Sequence, residues 1–545
     1  MAMGLGRQDW AGMLDRERIV ATTGFNRWLV PPAALAIHLC IGMAYGFSVF
    51  WLPLSRALGV TQPLACPDLT LAAALVTTTC DWRVADLGWM YTLFFVLLGS
   101  SAALWGGWLE RAGPRKAGVV SAFCWCGGIA VAAIGVMLHQ LWLMWIGAGV
   151  IGGIGLGLGY ISPVSTLIKW FPDRRGMATG MAIMGFGGGA MIGAPLADRL
   201  MNHFKSAESV GVWQAFLVLA AIYLVFMLVG AFSYRVPPAG WRPEGWMPPE
   251  AGGTMITARH VHLRDAHKTR QFWLIWAVLC LNVSAGIGVL GMASPMLQEI
   301  FGGKLIGLPE LSFTQLDESQ KAAIAAIAAG FAGLLSLFNI GGRFFWASLS
   351  DQIGRQNTYY AFFCLGIVLY ALAPTAAHMG SQVLFVAIFC IILSMYGGGF
   401  ATIPAYLADI FGTQFVGAIH GRLLTAWSTA GIIGPVVVNY VREFQIGAGI
   451  PRDQVYDFTM YILVGMLVLG LIANSQVRPL AGKWFMSEAE VAALQADRAA
   501  AQAGGSFGIG RGGLTGRALL AWGFVGIPIL WGVWVTVQKA AILFG

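Results

Sequence analysis

Charged side chains are scarce in this 545-residue chain: 33 Lys and Arg with 25 Asp and Glu make up 11% of it. Ordinary soluble domains carry about 25%. Here 57% of residues are hydrophobic and the mean hydropathy is +0.71. A soluble fold of this size could not hide that much apolar surface, so a soluble multi-domain enzyme is excluded and no nucleic-acid partner is expected. Segments of about ten residues alternating between polar and apolar are missing, which excludes a transmembrane barrel. Also lacking are a nucleophile–base pair and a metal-ligand cluster, so no enzymatic activity, metal or cofactor is expected. Met1 to Arg27 is polar and charged, unlike a cleavable signal peptide.

What is abundant is apolar sequence in long runs. They cover roughly residues 28–55, 87–108, 117–137, 141–168, 176–198, 212–233, 271–297, 322–347, 357–376, 382–408, 418–440, 455–476 and 518–543. Each is about 20 residues or longer, enough to cross the hydrocarbon layer as a helix. The fold class is therefore an all-α polytopic membrane protein. Glycine is frequent, at 73 residues, and small residues let membrane helices approach closely. Gly153, Gly155, Gly157 and Gly159 lie within such a run with no strand before them, so they signal close packing and not a dinucleotide site.

Lys and Arg concentrate on the segments that are cytoplasmic when the N-terminus is cytoplasmic, which sets the orientation. A bacterial inner membrane is the expected location. The chain divides into a cytoplasmic segment 1–27, a six-helix bundle 28–233, a cytoplasmic linker 234–270, a second six-helix bundle 271–476, a cytoplasmic tail 477–516 and an additional helix 517–545. The two bundles are repeats at a constant offset of 241 residues. That offset relates Glu110 to Asp351, Gly113 to Gly354, Gly157 to Gly398, Pro163 to Pro404, Gly176 to Gly417 and Gly180 to Gly421. Parallel repeats around a midplane site describe a secondary transporter that rocks its halves.

The turn after the second run reads Glu110-Arg111-Ala-Gly113-Pro-Arg115-Lys116, and its mate reads Asp351-Gln-Ile-Gly354-Arg355. An acid, a turn glycine and a cation opening the next helix form a clasp, and the acid can also cap a neighbouring helix. This pattern resembles the signature of the major facilitator superfamily over about residues 25–476. Within it, Lys169-Trp-Phe-Pro-Asp-Arg-Arg-Gly176, Gly185-Phe-Gly-Gly-Gly-Ala190, Asn339-Ile-Gly-Gly-Arg343 and Thr425-Ala-Trp-Ser-Thr-Ala-Gly-Ile-Ile-Gly-Pro435 resemble the oxalate/formate antiporter family and its monocarboxylate-transporter relatives. The resemblance implies a major facilitator fold and transport of small carboxylates such as formate, lactate, pyruvate or oxalate. It also implies that Arg343 binds the anion.

A guanidinium inside a membrane helix marks a functional site by default. Its planar fork takes a carboxylate through two charge-assisted hydrogen bonds. Asn339, four residues earlier, shares its helix face; the rival reading is an arginine that snorkels or pairs with an acid. The antiporter family has a lysine where this chain has Trp427, leaving one cation, which suits a monoanion. Arg422 could supply a partial substitute or a contact at the cytoplasmic end. His38 is a candidate for proton coupling or for an interhelical hydrogen bond. Tyr45, Tyr160, Asn282, Ser284 and Tyr396 are candidates for lining a cavity gated by helices 1, 4, 7 and 10.

Eight cysteines are present, and Cys66 and Cys80 share one outside loop, where they could form a disulfide. The expected partners are a small carboxylate, a counter-anion or proton, and lipid, with the protein acting as a monomer. Rival functions are a transporter of a drug or sugar and a non-transporting membrane sensor on the same scaffold.

Overall fold

The computed structural model describes residues 12–22, 24–60, 64, 69–238, 241–245, 256–500 and 515–541. Among them there is no β-strand, only isolated bridges such as Val20 to Val236. The first repeat holds α1 (Val30–Ile41), α2 (Val84–Ala112), α3 (Pro114–Met137), α4 (Gly153–Trp170), α5 (Arg175–Phe204) and α6 (Val212–Ser233). The second holds α7 (Arg270–Phe301), α8 (Glu318–Ile353), α9 (Arg355–His378), α10 (Gln382–Phe411), α11 (Thr425–Gly447) and α12 (Asp457–Ser475). A thirteenth helix, α13 (Gly516–Ala540), follows. Twelve helices among the described residues are long and apolar enough to cross a membrane. α8, which carries Arg343, has 36 residues and spans about 54 Å at 1.5 Å per residue.

Local chemistry sets many of the helix ends. Thr269, Asp317, Ser381 and Thr515 accept a backbone N–H at the starts of α7, α8, α10 and α13. Gly113 and Gly354, repeat mates, stop α2 and α8 at φ +84° and +87°, conformations that glycine alone adopts without strain. Pro114 then opens α3, where a missing N–H is harmless.

Three expected spans are internally irregular. α1 gives way to a 3-10 stretch, Gly42–Phe50, where Gly42 and Gly189 of α5 meet with no room for a Cβ on either. α4 is preceded by a π-helical stretch, Trp145–Gly152. The expected span 418–440 is two helices, Val416–Leu423 and α11, meeting at Leu424. Apolar periodicity encodes none of these three departures from a regular α-helix.

α13 lies along both repeats. Its Trp522 donates to the Trp28 carbonyl (3.2 Å) and Phe524 stacks on Phe226 (4.4 Å). Further along, Gly532 meets Met191 and Ile192 of α5, while Thr536 meets Gly333 of α8. Its other side, including Leu520 at 77% exposure, is apolar and suits lipid.

One face of the bundle gathers the N-terminal segment, the turns at Gly113 and Gly354, the linker and the tail, and is called here the basic face. There Val261 N–H donates to the Phe411 carbonyl and Met486 N–H to the His260 carbonyl, both at 2.9 Å. These bonds stitch linker and tail onto the end of α10.

Glycine packing gives a direct test. A Cβ on Gly128 would stand 2.5 Å from the Gly147 carbonyl oxygen and 2.6 Å from the Gly152 nitrogen, whereas Gly127 faces open space. Gly128→Ala should cost about 1–3 kcal/mol by overpacking and lower the thermal unfolding midpoint in detergent, while Gly127→Ala should leave it unchanged. Equal midpoints for the two variants would contradict this packing.

Candidate functional site

Arg343 lies near the middle of the bundle, on α8, with no exposed surface. Its Nε donates to Asn339 Oδ1 (2.8 Å), one helical turn away. Its Nη1 donates to the Ile183 carbonyl of α5 (3.0 Å), across the seam between repeats. Gly187 of α5 makes this approach feasible, since a Cβ there would stand 3.1 Å from both Arg343 Nε and Asn339 Oδ1. The remaining nitrogen, Nη2, has no hydrogen-bond partner. Among the described residues no carboxylate pairs with this guanidinium.

Aromatic rings enclose it. Phe186 of α5 and Phe400 of α10 lie 5.8 and 5.6 Å from the guanidinium carbon, a cation–π distance. Trp427 packs against Phe400 (4.3 Å), Tyr160 (5.2 Å), Phe186 and Phe95 (both 5.4 Å). Tyr45 and Tyr396 close the side away from the basic face with a 3.0 Å hydroxyl–hydroxyl bond. The Tyr45 and Tyr160 hydroxyls lie near Arg343. The Tyr160 hydroxyl and the Trp427 indole N–H, both buried, make no hydrogen bond. Three polar groups are therefore buried in one region without a close hydrogen bond, which costs about 1–3 kcal/mol for each that is left unsatisfied.

The other predicted residues divide among several places. Asn282 is buried on α7, its Nδ2 unpartnered, beside a small crevice that Tyr396 and Gly286 also line. Ser284 donates to the Cys280 carbonyl within its own helix (2.7 Å). His38 is fully buried, with Nδ1 against the Ala182 carbonyl and Nε2 3.2 Å from the Tyr160 carbonyl. Arg422 reaches away from the site, to the Leu263 carbonyl (2.6 Å) and His267 Nδ1 (2.8 Å). In this structure it does not stand in for a second cation near Arg343. Cys80 is disulfide-bonded, and Cys66 lies outside the described residues. His139, whose Nε2 lies 2.8 Å from the Cys80 carbonyl, stacks on Trp82 (4.1 Å), and burial holds its imidazole below the ordinary value.

The clasp on the basic face differs between repeats. Asp351 accepts from the Gly176 and Met177 N–H groups at the start of α5 (2.9 and 3.0 Å) and pairs with Arg355 (2.5 Å). Arg355 also holds Asp409 at 3.2 Å. In the first repeat the expected partner of the acid is the cation opening the next helix, and this is not found. Glu110 pairs with Lys169 at the end of α4 (2.6 Å), while Arg115 donates to the carbonyls of Met13, Phe232 and Tyr234. Arg111 is exposed beside Arg16 and Lys116. The repeat symmetry survives in the seam: Gly176 lies against Asp351, and its mate Gly417 lies against Glu110.

Phe95, Phe186 and Phe400 form walls that sequence reasoning missed, because ordinary core phenylalanines look the same. Lys169 and Asp409 were missed as clasp partners, and His420 as a buried group. A signal existed for the last, since its repeat mate is the small polar Thr179.

The Major Facilitator Superfamily pattern matches residues 34–435. The oxalate:formate antiporter of Oxalobacter formigenes is 27% identical over 417 residues, 75% of this chain and 83% of that protein. Apicoplast pyruvate carrier 1 of Toxoplasma gondii is 26% identical over 471 residues, 74% of this chain and 81% of that one. The solved structure of FucP, a Major Facilitator Superfamily transporter in the outward conformation, superimposes with a TM-score of 0.54 at 14% identity, covering 82% of this chain and 100% of that one. That last likeness concerns the fold alone.

Asp351 holds the start of α5 against the end of α8, so its loss should loosen that seam. Asp351→Asn should speed hydrogen exchange at the Gly176 and Met177 amides by roughly tenfold or more, as expected for losing a charge-assisted bond. Unchanged exchange there would contradict the assigned cap.

Proposed function

This chain belongs to the Major Facilitator Superfamily, and on that basis we propose that it carries small monocarboxylates across the membrane by alternating access. One observation carries the reading: Arg343 is fully buried, its Nη2 makes no close hydrogen bond, and the groups beside it are neutral hydroxyls with no carboxylate among them. A carboxylate placed there accepts from the free arm of the fork, and the neighbouring Tyr160 hydroxyl and Trp427 N–H are donors for its oxygens. Asn339 and the Ile183 carbonyl hold the other two arms and aim the group. The names of the relatives, an oxalate:formate antiporter and a pyruvate carrier, support the same substrate class.

The single cation decides between mono- and dicarboxylates. A second carboxylate in this cage would face Phe186, Phe400 and Trp427, and burying it unpaired costs several kcal/mol. Formate, lactate and pyruvate match one guanidinium and apolar walls, whereas a neutral sugar leaves the charge uncompensated. We read the basic face as cytoplasmic from the distribution of Lys and Arg, with the N-terminus inside, the membrane as a bacterial inner membrane and the protein as a monomer. The bundles 28–233 and 271–476 rock about Arg343. The contacts of α5 with α8 and of α2 with residues 416–428 close the inner side.

Vesicles preloaded with unlabelled formate, lactate, pyruvate or oxalate should accumulate the matching labelled monocarboxylate by counterflow, with oxalate weakest. No counterflow with any of the four would overturn the proposal. Arg343→Lys should weaken carboxylate binding about 10- to 100-fold, because a point charge cannot reproduce the fork; unchanged affinity would remove Arg343 from the site. Trp427→Lys adds the second cation and should raise oxalate transport relative to lactate, and an unchanged ratio would contradict the role given to Trp427.

A further inference from the structure

His420 lies in the short helix Val416–Leu423 that leads into α11. It is fully buried, and neither ring nitrogen has a hydrogen-bond partner. A buried imidazole with no partner is uncommon enough to require an explanation. Its neighbour is the Tyr160 ring of α4, 5.9 Å away across the seam between repeats. Tyr160 in turn borders Trp427 and the guanidinium site.

The repeat offset shows what this contact corresponds to. Adding 241 turns Thr179 into His420 and Tyr160 into Ala401. In the mate position, Thr179 Oγ1 donates to the Ala401 carbonyl at 2.5 Å. The two seams of the basic face are thus closed by equivalent residue pairs. One is a neutral hydrogen bond, and the other is a dry ring contact in which an ionisable group goes unsatisfied.

We propose that His420 is the proton-binding group of the cytoplasmic gate, and that its protonation favours opening of that gate. The proposal rests on alternating access with the basic face inside, and it adds a proton site to that reading. With the gate closed, a charged imidazole would be stranded among apolar atoms with no acceptor, which is strongly unfavourable. Opening separates His420 from Tyr160 and admits water, in which an imidazole takes up a proton near neutral pH. A ligand that binds one state better shifts the equilibrium toward it, so cytoplasmic protons pull the gate open.

The surrounding elements supply no fixed counter-charge that would reverse the sign. α2 presents Glu110, whose charge is paired with Lys169 of α4 through Oε2 while its Oε1 lies against Gly417, one turn before His420, and α4 also presents Tyr160. α10 carries Tyr406 and Asp409, the latter bound to Arg355. Arg422, on the same short helix, is turned to Leu263 and His267, and Arg264 and Lys268 pair with Asp265. α11 places Trp427 nearby, and Arg343 of α8 adds positive charge beyond Tyr160. His38 is differently placed, since both of its ring nitrogens already face carbonyl oxygens.

The test reads gate opening without any substrate. Spin labels on Pro172→Cys and Thr413→Cys, repeat mates that line one crevice of the basic face from different repeats, report its opening in proteoliposomes of the full chain with its free cysteines replaced. Lowering the pH from about 8 to about 5.5 should raise the ratio of long to short distances at least threefold, within the limit of tenfold per pH unit that one linked proton allows. His420→Thr, which copies the mate residue, and His420→Gln should both abolish that response. A flat wild-type profile, or a pH response retained in both variants, would overturn the proposal. Carboxylate-induced thermal stabilisation, measured on the same variants, should persist, so failure of the gate and failure of the Arg343 site are separately visible.

Discussion

The guanidinium of Arg343, fully buried between the two repeats, is held through only two of its three nitrogens. Nε is fixed by Asn339 and Nη1 by the Ile183 carbonyl, while Nη2 makes no close hydrogen bond and has only the neutral Tyr45 and Tyr160 hydroxyls beside it. Leaving a buried charge uncompensated costs several kcal/mol, and natural cores pair such groups unless the vacancy has a use. Much of the surrounding structure is explained by this constraint. Gly187 clears the way to α5, Phe186 and Phe400 cover the cation, and the Tyr45–Tyr396 and Asp351–Gly176 contacts close the two ends.

Repeat symmetry and its breaking divide the labour. Gly113 and Gly354, or the contacts of Gly176 and Gly417 with their acids, recur because both halves must pack the same way against each other. The chemistry is confined to one copy. The mate of Arg343 is Ala102, and the mate of His420 is Thr179. A scaffold built from two like halves therefore carries its buried cation in one half only, and its unpartnered imidazole likewise.

Much of this was legible in the sequence, because the constraints that set it act locally or repeat. Long apolar runs give helices, the offset of 241 gives the two halves, and the spacing of Asn339 and Arg343 gives their hydrogen bond. What escaped was set by contacts between distant segments. The 3-10 stretch at Gly42–Phe50 lies where α1 meets α5, and the break at Leu424 falls inside the single expected span 418–440. Glu110 chose Lys169, 59 residues away, over the nearby Arg115, a choice that spacing does not reveal. Phe186 and Phe400 became cage walls only when α5 and α10 converged on α8.

The most direct test is the distance between a bound carboxylate and Arg343. Solid-state NMR on membranes containing arginine labelled with nitrogen-15 at the guanidinium, saturated with carbon-13 carboxyl lactate or formate, should give dipolar dephasing at a separation of about 4 Å or less, as direct hydrogen bonding requires. The signal should vanish in Arg343→Lys. Dephasing that survives the substitution, or bound carboxylate that shows none in the wild type, would contradict the account.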